Sequence, residues 1–127
     1  MTSLRSASLL RMTAYVLAQL RFTDRTTYER YAGRFMPVLY KFNGKLLCND
    51  LLPQVLEGDW SFDKAVLFSF ENADKAHSFL QSPDYLSIAV DRKAGAEAVV
   101  VLLRGSQEAN ASQKQSVQAA TDHQISR

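Results

Sequence analysis

Residues 15–22, YVLAQLRF, decide how this chain is read. Val16, Ala18, Leu20 and Phe22 fall on one side of an extended backbone, and Tyr15, Leu17, Gln19 and Arg21 on the other. Side chains alternate across a strand, so the segment is a strand with one dry face and one amphipathic face. Ala65–Glu71 repeats the pattern: Val66, Phe68 and Phe70 share one face, Leu67, Ser69 and Glu71 the other. Between these two the period changes. Thr23 or Asp24 is placed to cap a helix, because a short side-chain oxygen accepts from unpaired first-turn amides. Tyr28, Tyr31, Ala32, Phe35, Leu39 and Phe42 then recur at the three- and four-residue spacing of a buried helical stripe. Pro37 lacks the amide a helix interior needs, which predicts a kink or break near Met36. Asn43-Gly44 ends the helix, with the glycine expected in the left-handed conformation.

A second extended stretch covers Lys45–Glu57, interrupted around Asn49–Pro53. Gly58-Asp59 begins a turn that leads past Trp60 into the third strand. Asn72 or Ala73 opens a helix that carries Ala76, Phe79 and Leu80 inward and stops at Ser82-Pro83. Tyr85, Ile88, Ala89 and Arg92 are spaced for one more short helix, and Glu97–Leu103 is a dense apolar strand. The order is βαββαβ with an extra helical turn after the second helix. Such an order predicts an α+β ferredoxin-like sandwich with helices over one face of the sheet. Its first and third strands are antiparallel neighbours, with Gln19 expected opposite Ser69 and Arg21 opposite Glu71. The other sheet face, assigned Tyr15, Leu17, Leu67, Val100 and Leu102, is too apolar to be left in water. A second copy on a twofold axis is the simplest cover, so a homodimer with facing sheets is expected.

Composition agrees with one such domain. The chain has 127 residues, 46% of them apolar and 22% charged, the profile of a globular protein. No apolar run approaches the roughly 20 residues of a membrane-spanning helix, so no membrane partner is expected and the reading is soluble and cytoplasmic. A single cysteine, Cys48, and two histidines, His77 and His123, argue against a disulfide framework and against most metal centres. Neither a metal nor a cofactor is expected. Between Thr13 and Gly105, eleven basic residues meet eleven acidic ones. A neutral body argues against nucleic acid, whose binding rests on phosphate neutralisation. Residues 1–12 read as a flexible basic arm, 13–105 as the domain and 106–127 as a disordered polar tail. The Ser- and Arg-rich head is short for a transit peptide, and Met12 is read as the natural start.

The segments AYVLAQLRFTDRTTYERYAGRF, YKFNGK, VLEGDW, LFSFENADKAHSFLQSPDY and AVVVL together resemble the family called domain of unknown function 1330. The resemblance runs from about Ala14 to Leu103. It implies a dimeric α/β barrel, two ferredoxin-like subunits pressed sheet to sheet, and it implies no activity. Asn43-Gly44-Lys45 stands where the family often has two glycines and an arginine, and the CNDLLP stretch at Cys48–Pro53 is more apolar than usual. Relatives of similar architecture include cofactor-free monooxygenases, muconolactone isomerases and small stress-response proteins, a likeness of fold alone.

Several residues could carry chemistry, each with a plainer alternative. Tyr15 and Gln19 share a strand face, as a polar anchor for a small ligand or as interface packing. Tyr28 and Tyr31 read as core aromatics whose hydroxyls reach the surface. Glu57, Asp59 and Trp60 cluster: an indole beside carboxylates could raise a carboxyl's pKa and make a general base, and Gly-Asp is also ordinary turn chemistry. His77 is a flank histidine or a catalytic one. Tyr85 and Arg92, seven apart on one helix side, could hold a carboxylate or enolate at a pocket mouth, or simply close the barrel edge. Cys48 is read as a buried inert thiol. No phosphate-cradling glycine loop, G-x-S-x-G elbow or H-E-x-x-H helix is present.

Three functions follow in order. The first is a pocket for a small apolar or aromatic molecule, with cofactor-free monooxygenase- or isomerase-like activity. The second is a non-catalytic assembly or stress-related barrel. RNA binding is third: Tyr15 with Phe68 and Phe70 superficially resembles a base-stacking sheet, but the two phenylalanines are assigned to the core.

Overall fold

A computed structural model describes residues 12–106. Its elements are β1 (Ala14–Phe22), α1 (Arg25–Lys41), β2 (Lys45–Asp50), β3 (Lys64–Phe70), α2 (Ala73–Gln81), α3 (Pro83–Gly95) and β4 (Ala96–Arg104). The strands form one antiparallel sheet in the order β2-β3-β1-β4, the ferredoxin-like arrangement. The expected flexible arm (1–12) and polar tail (106–127) lie, but for their inner residues Met12 and Ser106, outside the described residues.

Local chemistry accounts for the element ends. Asp24 caps α1 by accepting from the Thr27 amide, and Asn72 caps α2 by accepting from the Lys75 amide. Ser82 serves two helices: its hydroxyl donates to the Phe79 carbonyl and accepts from the Tyr85 amide, with Pro83 opening α3. The last helix is thus thirteen residues long, more than the single short turn expected. At the end of α1 the left-handed residue is Asn43, with φ 59°, and not the glycine. Gly44 is needed for a different reason. A Cβ there would stand 2.3 Å from a Leu39 methyl and 2.9 Å from the Phe70 ring.

The dry faces of β1 and β3 pack beneath α1 and α2. Val16, Leu20, Val66, Phe68 and Phe70 meet Tyr28, Tyr31, Phe35, Leu39 and Phe79, all buried. Phe79 has no exposed surface, and its ring lies 4.7–6.1 Å from those of Tyr85, Phe70, Phe42, Phe68 and Phe35. Deleting such a ring costs about 3–5 kcal/mol. α1 runs unbroken through Pro37, against the expected break, because Phe35 and Leu39 anchor it to the sheet on either side.

Three further expectations are corrected. Gln19 faces Ala65 and Ser69 faces Tyr15, while Arg21 pairs with Glu97 and forms an ion pair with it. Pairs whose two numbers rise together belong to parallel strands; here β1 and β3 run oppositely, so the end of one meets the start of the other. Val100 and Leu102 pair with Ala18 and Val16 and therefore lie on the helix side. The open face holds Val99, Val101 and Leu103 instead. The unalternating run AVVVLL left that phase open. The second extended stretch closes at Asp50, after a bulge between Leu46 and Cys48. Beyond that bulge Cys48 pairs with Leu67 on the open face, so it is exposed rather than buried.

Two glycines separate close packing from helix propensity. A Cβ on Gly95 would meet the Tyr28 amide nitrogen at 2.4 Å and the Asp24 carbonyl at 2.7 Å, whereas none approaches Gly33 within 4 Å. Gly95→Ala should therefore destabilise by about 1–3 kcal/mol. Gly33→Ala, in an exposed helix interior, should stabilise by about 1 kcal/mol. Urea unfolding of both variants checks the two opposite signs.

Candidate functional site

Helix α1 does not fill the space above the sheet. A cavity of about 80 Å³ remains between α1 and strands β1, β2 and β3, walled largely by Ala18, Leu20, Phe35, Met36 and Phe68. One water's share of liquid volume is roughly 30 Å³, so the space suits a molecule of only a few heavy atoms. Its polar groups come from four elements: Tyr28 and Tyr31 of α1, Asn49 of β2, Lys64 of β3 and Arg92 of α3.

Lys64 arrives there through strand alternation. It pairs with Leu20 and so points with Leu20, Val66 and Phe68 beneath the helices, only 6% exposed. Its Nζ lies 4.8 Å from the centroid of the Tyr28 ring. Among the described residues it forms no ion pair. The ring's negative face returns part of the lost hydration. Burial still pushes the Lys64 pKa down; Glu29 opposes that shift and Arg25 reinforces it.

Arg92 supplies the second cation, and its buried Nε has no hydrogen-bond partner among the described residues. Buried polar groups are nearly always paired, so this nitrogen is a donor awaiting an acceptor. One helical face away, the Tyr85 and Tyr31 hydroxyls stand 3.2 Å apart in the interior. Burial raises the Tyr31 pKa and pushes that of Tyr28 up to about 12, so both phenols stay neutral and act as hydrogen-bond groups. Among the described residues no carboxylate lines the cavity. A site with two cations and no acid fits a compact anion.

The residues singled out from sequence distribute unevenly around this cavity. Arg92 lines it, and Tyr85 stands directly behind Tyr31. Their seven-residue spacing thus brings both to one side of α3, as read. Tyr15 and Gln19 lie on the opposite, open face of the sheet. Asp59 and Trp60 line a separate open hollow with residues 53–57, and the Trp60 indole nitrogen is buried without a partner. His77 is exposed on α2. Sequence reasoning passed over Lys64 and Asn49. The signal for Lys64 was present: it is in phase with Val66, Phe68 and Phe70. Asn49 depends on the β2 bulge, which nothing in the sequence marks. Among the described residues no cluster of His, Cys, Asp or Glu could hold a metal ion, and no helix is long and apolar enough to cross a membrane.

The family described as Domain of unknown function (DUF1330) matches residues 13–106. The chain belongs to the DUF1330 family. No curated protein matches it. Among solved structures, it is similar to a protein of unknown function from Rhodopseudomonas palustris, with TM-score 0.66 and 15% identity over 77% of this chain and 85% of that one. It is similar to SnoaB, a cofactor-independent oxygenase from Streptomyces nogalater, with TM-score 0.58 and 15% identity over 76% of this chain and 96% of that one. A dimeric protein of unknown function with a ferredoxin-like fold, from Bacteroides fragilis, gives TM-score 0.54 and 10% identity over 73% and 96%. These likenesses establish the α+β ferredoxin-like fold of this DUF1330 member.

The buried amine has a measurable effect on stability. Its folded pKa lies below its ordinary value of 10.5, so the unfolded chain binds the proton more readily. Stability attributable to Lys64 therefore rises with pH through the folded pKa and levels off above the unfolded one. Lys64→Met should be more stable than the parent at neutral pH, with the gap narrowing as pH approaches 10. Urea midpoints measured across that range decide it; a constant gap would contradict the argument.

Proposed function

We propose that this protein binds a compact, negatively charged carbonyl compound under α1 and acidifies the hydrogen beside its carbonyl. The outcome is an isomerase-like proton shift that needs no cofactor. One observation carries the reading: Lys64 and Arg92 line a single small cavity that, among the described residues, no carboxylate lines. In this reading Arg92 holds the substrate's carboxylate with the donor that now lacks a partner. Lys64 faces the carbonyl oxygen, where negative charge gathers as the proton leaves. Cations fixed in a poorly solvated site stabilise such charge far better than they would in water. Tyr31, held by Tyr85, orients the bound molecule. A second reading, cofactor-free oxygenation, draws on the likeness of fold to SnoaB, and it needs a larger space than this cavity because an aromatic anion exceeds a few heavy atoms.

The working unit in this proposal is a homodimer closed through the open sheet face. Val99, Val101 and Leu103 are 47%, 37% and 46% exposed in the single chain and adjoin Tyr15, Leu17 and Leu67. Tyr15 and Gln19 then belong to the contact between copies, which leaves the cavity on the far side of each sheet.

Two measurements test these readings. Pyruvate in heavy water, followed by proton NMR, should exchange its methyl hydrogens faster with the protein present. Arg92→Met should reduce that acceleration about 10- to 100-fold, the usual cost of losing a charged hydrogen bond. Neither exchange, nor binding, nor oxygen uptake would leave the non-catalytic barrel as the function. For assembly, light scattering should report twice the 14.3 kDa chain mass. Val101→Glu should shift the protein to monomer, and a parent already monomeric at micromolar concentration would refute the closed sheet face.

A further inference from the structure

We propose that Lys64 activates its substrate covalently, its ε-amine condensing with the carbonyl of a small oxo acid to form an imine. This step presupposes the anion-binding reading of the cavity and adds to it the substrate class, a 2-oxo acid or a comparably small aldehyde or ketone bearing a carboxylate. Three observations converge on it. The amine is almost wholly buried in a cavity with apolar walls. No acid side chain pairs with it among the described residues, so nothing fixes it as an ammonium. A second cationic group, Arg92, lines the same cavity with an unpartnered donor, able to seat the carboxylate that brings the carbonyl to the amine.

Lysines used as nucleophiles are set up in this way, desolvated or placed beside another cation, because both effects favour the neutral amine. Here burial lowers the Lys64 pKa, with Arg25 acting in the same direction and Glu29 against it. The step balances without an added reagent. The nitrogen lone pair attacks the carbonyl carbon, and the C=O π pair moves to oxygen. Both amine hydrogens leave with that oxygen as water, and the C=N bond replaces C=O. Protonated, the imine withdraws electrons from the neighbouring C–H bond more strongly than the carbonyl did. The iminium nitrogen thus takes over the charge stabilisation that the free Lys64 ammonium supplies in the non-covalent reading.

Borohydride trapping tests it. The full chain is incubated with pyruvate and sodium cyanoborohydride at neutral pH, and adducts are mapped by peptide mass spectrometry. The expected result is a single reduced adduct on Lys64, formed about tenfold or more faster than on the exposed Lys41, Lys45, Lys75 and Lys93, since a carboxylate seated at Arg92 holds the carbonyl against that one amine. Acetone, lacking the carboxylate, should label Lys64 poorly. Lys64→Arg keeps the charge and removes the nucleophile, so it should lose methyl exchange; retained exchange would overturn the covalent step. Labelling spread evenly over the lysines, or absent from Lys64 while pyruvate still raises the thermal midpoint, would also overturn the imine and leave anion binding intact. No adduct and no thermal shift would overturn both.

Discussion

The alternation of β3 constrains everything else in this molecule. Val66, Phe68 and Phe70 must lie beneath α1 and α2, and the residue two places before Val66 must go with them. A register slip that exposed Lys64 would carry all three apolar side chains into water. Burying a side chain of that size contributes about 1.5–3 kcal/mol each. Together they outweigh the several kcal/mol that desolvating one ammonium costs. The register therefore holds, and the amine stays inside with the Tyr28 ring as its closest compensation.

The same alternation explains which parts of the fold were legible in the sequence. β1 and β3 alternate cleanly, so their faces, the helix stripe at Tyr28–Leu39 and the cap residues were readable from residue types alone. β4 is apolar on both sides, and only its pairing with β1 reveals that Val100 and Leu102 face the helices. The β2 bulge between Leu46 and Cys48 rests on the local ladder with β3. Strand order was inferable, but the expected β1–β3 pairs had the wrong sense. In antiparallel strands one number must fall as the other rises, and the expected pairs broke that rule.

The candidate site was legible only in part, for a related reason. Arg92 and Tyr85 announce themselves by helical spacing, and the helix places both toward Tyr31. Lys64 hides because a lysine at a strand's first position reads as a solvated end. Searching for clustered polar residues led to Asp59 and Trp60, which share a hollow in the connection before β3. The five polar groups of the cavity instead come from four elements, two from α1 and one each from β2, β3 and α3, and converge only once the chain has folded. A site of this type has no linear signature, and its strongest sequence trace is a charged residue in phase with a core face.

The placement also separates two properties that the sequence reading had merged. With the cavity on the helix side and the uncovered apolar strand face on the other, the four-stranded sheet stands between the proposed ligand site and the proposed contact with a second copy. Val16, Ala18 and Leu20 point to one side, and Tyr15, Leu17 and Gln19 to the other, within the same nine-residue strand. Their shared element is the backbone of β1, an inner strand hydrogen-bonded on both edges, to β3 and β4. In the proposed scheme assembly and chemistry therefore draw on different side chains: Val99, Val101 and Leu103 on the open face for the first, and Lys64, Arg92 and Tyr31 beneath the helices for the second.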